Sequence, residues 1–134
     1  MNATIALTTA LYAAILGLLG AALTVNVIRN RVALKIDTGD GGNAKMGMAI
    51  RAHANLAQHA PLVLLLIGFA EALGTGKTII HILGAALMLA RLLSAWGLLS
   101  AEGQSFGRQS GAGLTVLVLA AASVLILLRW GGMM

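Results

Sequence analysis

Arg51-Ala-His53-Ala-Asn55-Leu-Ala-Gln58-His59-Ala-Pro61 is the most polar passage in a chain that is otherwise strongly apolar. On a helix turning about 100° per residue, Arg51, Asn55 and Gln58 fall within roughly 60° of one another. His59 borders that face and His53 points nearly the opposite way. What this stripe means depends on its solvent. In water it would be an ordinary wetted face, but inside a bilayer such groups are costly and must face a protein interior or a wet cleft.

Composition decides for the bilayer. Of 134 residues, 59% are hydrophobic and only 10% charged, with a mean hydropathy of +0.92, far beyond the balance of a soluble domain of this length. Working outward from the polar stripe, apolar runs cover about residues 4–28, 48–73, 78–100 and 111–130. Each approaches the twenty residues that a hydrocarbon core about 30 Å thick requires. The expected fold class is all-α: one integral membrane four-helix bundle filling the chain, with no separate soluble domain. Alternating ten-residue segments, the mark of a membrane β-barrel, are absent.

Charge then orients the bundle. Arg29, Arg31, Lys35, Lys45, Arg51 and Arg108 flank the spans on one side, against Lys77 and Arg129 on the other. The positive-inside rule therefore puts the first and third loops in the cytoplasm and both termini outside it. The first basic residues follow the first apolar run rather than precede it, so that run reads as a permanent helix and not as a cleaved leader. The net charge of +5 is explained by this asymmetry. No basic cluster is interleaved with aromatic residues, and a nucleic-acid role has no support.

Several lesser motifs dissolve on inspection. Gly74-Thr-Gly-Lys-Thr78 imitates the tail of a phosphate loop, but that motif's first glycine would have to stand at Glu71 and no strand precedes it. Asp37 and Asp40 lack the alternating oxygen ligands of a calcium loop. His53, His59 and His81 share no face suited to zinc, so no metal is expected. His81 has no evident partner. Ala13, Gly17 and Ala21 give the first helix a small-residue face that suits either packing within the bundle or contact with another subunit. Pro61 removes an amide donor, frees the carbonyl of Ala57 and predicts a bend beside Asn55 and Gln58.

Arg91 lies about nine residues from the cytoplasmic end of the third span, roughly 14 Å deep at 1.5 Å per residue. A cation at that depth needs a partner. Asn55, Gln58, the Ala57 carbonyl and a bound anion are candidates, and a helix-locking role stands beside a ligand role. With Arg31, Arg51 and Arg108 at the same end of the bundle, positive charge gathers without acidic compensation, and the natural complement is an anionic guest entering from the cytoplasm.

The pattern Arg51-x-His53-x-Asn55, Gln58-His59-x-Pro61 after the Gly39-Asp40-Gly41-Gly42 loop, with Arg91 in the third helix and Arg108-x-x-Gly111 before the fourth, resembles the MAPEG family, the membrane-associated proteins of eicosanoid and glutathione metabolism. The likeness is strongest to the small bacterial members and covers essentially the whole chain. It implies a homotrimer of four-helix subunits in the bacterial inner membrane, holding glutathione between neighbouring subunits near the cytoplasmic side. Arg51 and Asn55 match positions that bind glutathione, as Arg31 does in some members. Gln58, His59 and Arg91 occupy further positions of the same site. Arg108 matches the arginine thought to hold the glutathione thiolate, the catalytic role. A thiol with a pKa of about 8.5 to 9 is mostly protonated at neutral pH, and a guanidinium beside it favours the nucleophilic anion.

Where the family usually has Glu-Tyr, this chain has Gln58-His59, which replaces the carboxylate facing the glutathione amino group by a neutral amide. Ser94 and Leu98 stand where eicosanoid-forming members carry aromatic or imidazole side chains, which points away from those substrates. The resemblance thus implies a glutathione-dependent transferase or peroxidase acting on a hydrophobic small molecule that arrives through the lipid. The alternative is a non-catalytic membrane binder of lipid or another amphiphilic anion. A small four-helix exporter ranks below both, because the first helix carries no acidic residue for proton coupling and Glu71 lies near a helix end.

Overall fold

A computed structural model describes residues 6–132, so the first two residues of the expected first span, Thr4 and Ile5, lie outside the described residues. Among the described residues all regular structure is helical, in the order α1 (Leu7–Leu34), α2 (Ala44–Ala72), α3 (Lys77–Ser100) and α4 (Phe106–Trp130). Each helix is long and apolar enough to cross a membrane.

Three helices begin or end well beyond their apolar runs, because a backbone turn or a side-chain cap rather than hydropathy sets those termini. α1 continues through Arg29, Asn30 and Arg31 and stops where Lys35 turns left-handed at φ 54°, its amide returning to the α1 carbonyls. Asn43 caps α2, its side chain accepting from the Met46 amide at 3.1 Å. Ser105 caps α4 in the same way through the Arg108 amide, so α4 opens one turn earlier than its apolar run. A side-chain oxygen at such a position satisfies an amide that the helix cannot.

The common core is built from Leu16 and Leu23 of α1, Leu56, Val63 and Ile67 of α2, Ile80 and Leu87 of α3, and Val118 and Ala122 of α4. α2 and α3 are central: α2 packs against each of the other three helices and α3 does likewise. α2 remains one continuous helix through Pro61. The closest crossing joins α3 to α4. A Cβ on Gly111 would lie 2.6 Å from the Ala90 carbonyl oxygen and would collide with the Ser94 hydroxyl, so only glycine allows the two backbones this approach.

Where α1 begins and α2 ends, Glu71 closes the one onto the other. Its carboxylate accepts from the Thr8 amide at 2.9 Å and from the Thr9 amide and hydroxyl at 2.8 and 2.6 Å. These are free donors of the first turn of α1, and a negative charge there also complements the helix dipole. Nearby, the Tyr12 hydroxyl bonds His81 Nδ1 at 2.9 Å, which gives His81 the partner that inspection of the sequence did not find. The Tyr12 ring fills the space where a Cβ on Gly84 would stand.

Candidate functional site

Arg91 is the most deeply placed cation and is only 2% exposed. Its Nη1 donates to Asn55 Oδ1 at 2.8 Å, across to α2. Its Nη2 donates to Ser94 Oγ at 3.2 Å, to the Gly111 carbonyl at 3.1 Å and to the Thr115 hydroxyl. One guanidinium therefore joins α2, α3 and α4. Of the candidate partners, Asn55 is used, Gln58 is not, and the carbonyl taken is that of Gly111 rather than Ala57. Removed from solvent and bonded to four protein groups through Nη1 and Nη2, Arg91 ties the scaffold together, while its Nε is buried without a partner among the described residues.

Ser94 and Thr115 are the contributors that sequence reading passed over. Ser94 is three residues beyond Arg91, on the same helical face, which is a legible signal. Thr115 follows Gly111 by four residues and also donates to its carbonyl at 2.8 Å, so its hydroxyl oxygen is turned toward Arg91. Ser94 and Leu98 both lie in the bundle interior.

The other arginines behave differently. Arg31 folds back on the first loop, its Nη1 reaching the carbonyls of Ile36, Asp37 and Gly39 at 3.1 to 3.3 Å. With Lys35 and Asp37 it lines a surface hollow of about 410 Å³. Arg51 is exposed, and its Nε donates to the Gly47 carbonyl one turn back at 3.3 Å. Together with Asp40, Gly39 and Gly47 it borders a separate hollow of about 450 Å³. Arg108 is exposed at the first turn of α4, and its guanidinium makes no hydrogen bond among the described residues. A single subunit thus does not gather the four arginines around one cleft; Arg91 lies inside, and Arg31, Arg51 and Arg108 remain at the surface.

Gln58 and His59 are exposed as well, on the same outward side of α2 as Arg51. His59 Nδ1 lies 2.8 Å from the Asn55 carbonyl. An imidazole nitrogen facing a carbonyl oxygen must donate to it, so Nδ1 carries a proton. Asn55 is half-buried between this row and Arg91.

A hollow of about 220 Å³ has the polar side chains of Asn26, Asn30 and Lys45 on its lining; two others are apolar. A furrow between α1 and α2 holds about 350 Å³ beside Gly17, Gly20, His53, Leu56, Ala60 and Pro61. A second hollow of about 580 Å³ continues it toward Phe69, sharing Ala13, Pro61 and Leu64. His53 is the one imidazole on its lining, and it stands on the side of α2 away from Arg51. Chemically, the chain offers a polar, donor-rich row on one side of α2 and an apolar trough on the other.

Residues 9–128 match the MAPEG family. The chain is also 34% identical over 88 residues to the inner membrane protein YecN of Escherichia coli K12, a match covering 66% of this chain and 67% of that protein. The same figures hold for the inner membrane protein YecN of Escherichia coli O6:H1 strain CFT073. With four membrane-length helices and a family match across nearly its whole length, the chain belongs to the MAPEG family.

Proposed function

We propose that this protein is a glutathione-dependent transferase or peroxidase of the bacterial inner membrane, acting on lipophilic substrates as a homotrimer. The observation that carries the reading is the outward face of α2, where Arg51, Gln58 and His59 stand exposed beside the half-buried Asn55. Polar side chains at that depth are not left to lipid. A neighbouring subunit would cover the face and enclose an anionic guest between the two chains.

The residues present suit glutathione in part. Arg51 and the Asn55 amide supply donors for carboxylate and carbonyl oxygens. The Arg108 guanidinium makes no hydrogen bond among the described residues, which suits it to hold the thiol in its anionic form. Arg31 is engaged with the first loop and would contribute positive potential more than a direct bond. Gln58 can accept from the glutathione ammonium, more weakly than a carboxylate would. The apolar furrow on α1 and α2 offers a hydrophobic co-substrate a route from the lipid.

Calorimetry with glutathione on purified protein, Arg51→Ala and Gln58→Glu tests the reading. Binding should weaken about tenfold in Arg51→Ala and strengthen in Gln58→Glu. No binding in any of the three removes the proposal. Conjugation of a generic electrophile should be lost in Arg108→Ala. The neutral Gln58 favours a second reading, a non-catalytic binder of an amphiphilic anion, for which the outcome is saturable binding without turnover.

A further inference from the structure

Arg91 is buried inside the bundle, yet it bonds a group, the Asn55 amide, that is only half-buried. A guanidinium has five N–H donors and no acceptor, so the Asn55 atom facing Nη1 at 2.8 Å is the carbonyl oxygen. The other end of that carboxamide, Nδ2, is turned away from α3. Its two N–H groups bond to nothing among the described residues. Rotating the amide by half a turn would set donor against donor, so chemistry alone forbids the flipped form. Arg91 is itself immobilised by Ser94, Gly111 and Thr115 and can follow neither a ligand nor a wandering Asn55.

We propose that Arg91 is a positioning residue that fixes Asn55 as a donor-only group. This rests on the reading of the α2 face as the glutathione site. Arg51 lies one helical turn before Asn55, about 6 Å along the axis. Locked in this way, α2 presents two donor groups and no acceptor between them. That arrangement selects a ligand carrying anionic or carbonyl oxygens at matching separation and rejects one that turns donors toward these two positions. A carboxamide free to turn would be competent only for part of the time, and affinity would fall with that fraction.

Lysine and glutamine at position 91 separate positioning from scaffolding. Both lose most of the Nη2 bonds, but an ammonium can only donate, whereas an amide both donates and accepts. In Arg91→Lys, Asn55 should keep its orientation. In Arg91→Gln it should turn over. The first readout needs no ligand: the NMR order parameter of the Asn55 side-chain amide, measured in nanodiscs, should stay high in wild type and Arg91→Lys and drop in Arg91→Gln. The second is calorimetry with glutathione, where Arg91→Lys should stay within about twofold of wild type and Arg91→Gln should weaken fivefold or more, at similar thermal stability. Asn55→Asp keeps the partner of Arg91, and with it the fold, but replaces Nδ2 by oxygen; its affinity should fall tenfold or more.

An equally rigid Asn55 in Arg91→Gln, equal losses of binding in Arg91→Lys and Arg91→Gln that track stability, or unimpaired binding in Asn55→Asp would each overturn the proposal. Should wild type fail to bind glutathione, the functional reading falls, and the NMR comparison alone decides the role of Arg91.

Discussion

The α3–α4 seam and the α1–α2 seam are both lined with small residues, yet the first is closed to contact distance and the second stands open as a furrow. On the first, Gly111 meets Ala90 and Ser94 so tightly that a methyl group would not fit. On the second, nothing lies within 4 Å of a Cβ built on Gly17, and Cβ atoms on Gly20 and Gly68 would meet Leu56 and Thr9 at an ordinary 3.5 and 3.7 Å. Small residues permit close approach without causing it, because lipid tails are as good an apolar environment as another helix. On the closed side two polar ties hold α4 against α3: Arg91 bonds Gly111 and Thr115, and the Ser105 hydroxyl donates to the Gly97 carbonyl at 3.2 Å. Between α1 and α2 the polar cross-link found among the described residues is at one end, where Glu71 holds Thr8 and Thr9.

Gly111→Val attacks the closed seam directly and should have the largest effect. Overpacking a tight contact costs about 1–3 kcal/mol, and here it also lifts the Gly111 carbonyl from Arg91. Thermal unfolding in detergent should show a loss near the top of that range. An unchanged transition would mean the seam adapts and the comparison is mistaken.

Glu71→Ala tests the tie of the open pair. It strips the acceptor from two amides at the start of α1, a loss of about 1–2 kcal/mol on the scale of helix caps. Hydrogen exchange at Thr8 and Thr9 should rise while the α3–α4 seam stays protected. If exchange spread evenly over all four helices, α1 and α2 would not be a separable pair. Tyr12→Phe, which deletes only the hydroxyl bonded to His81, should cost about 1 kcal/mol and leave the α1–α2 furrow unchanged.

The two ends of the molecule were unequally legible in the sequence. Four helices follow from hydropathy alone, and the need of Arg91 for partners follows from its depth, with Asn55 among the candidates. Thr115 was hidden because its polarity is common in membrane helices and its alignment with Arg91 depends on how α3 and α4 cross. Glu71 was harder still: its partners are backbone amides more than sixty residues away, and an amide has no residue-type signature. Arg31 misled for a related reason. Its charge suggests an anion, but three loop carbonyls within reach of Nη1 outcompete any reading from residue type. Arg108 stands exposed in the first turn of α4, its guanidinium without a hydrogen bond among the described residues.

The smallest effect on the chain itself should come from Gly17→Ala, and it sharpens the comparison most. Within one chain the new methyl group points into open space, and alanine favours a helix over glycine by about 0.5–1 kcal/mol, so unfolding should be unchanged or slightly delayed. Gly111→Ala, the same chemical change on the closed seam, should destabilise. If the furrow is where a second copy seats, the added methyl groups will also hinder self-association, readable as a lower oligomer fraction by light scattering in detergent. If Gly17→Ala leaves association untouched, the subunits meet elsewhere and the furrow belongs to a lipid or lipophilic substrate. The open seam is then a binding trough, and the exposed row of Arg51, Gln58 and His59 across α2 becomes the face through which subunits join.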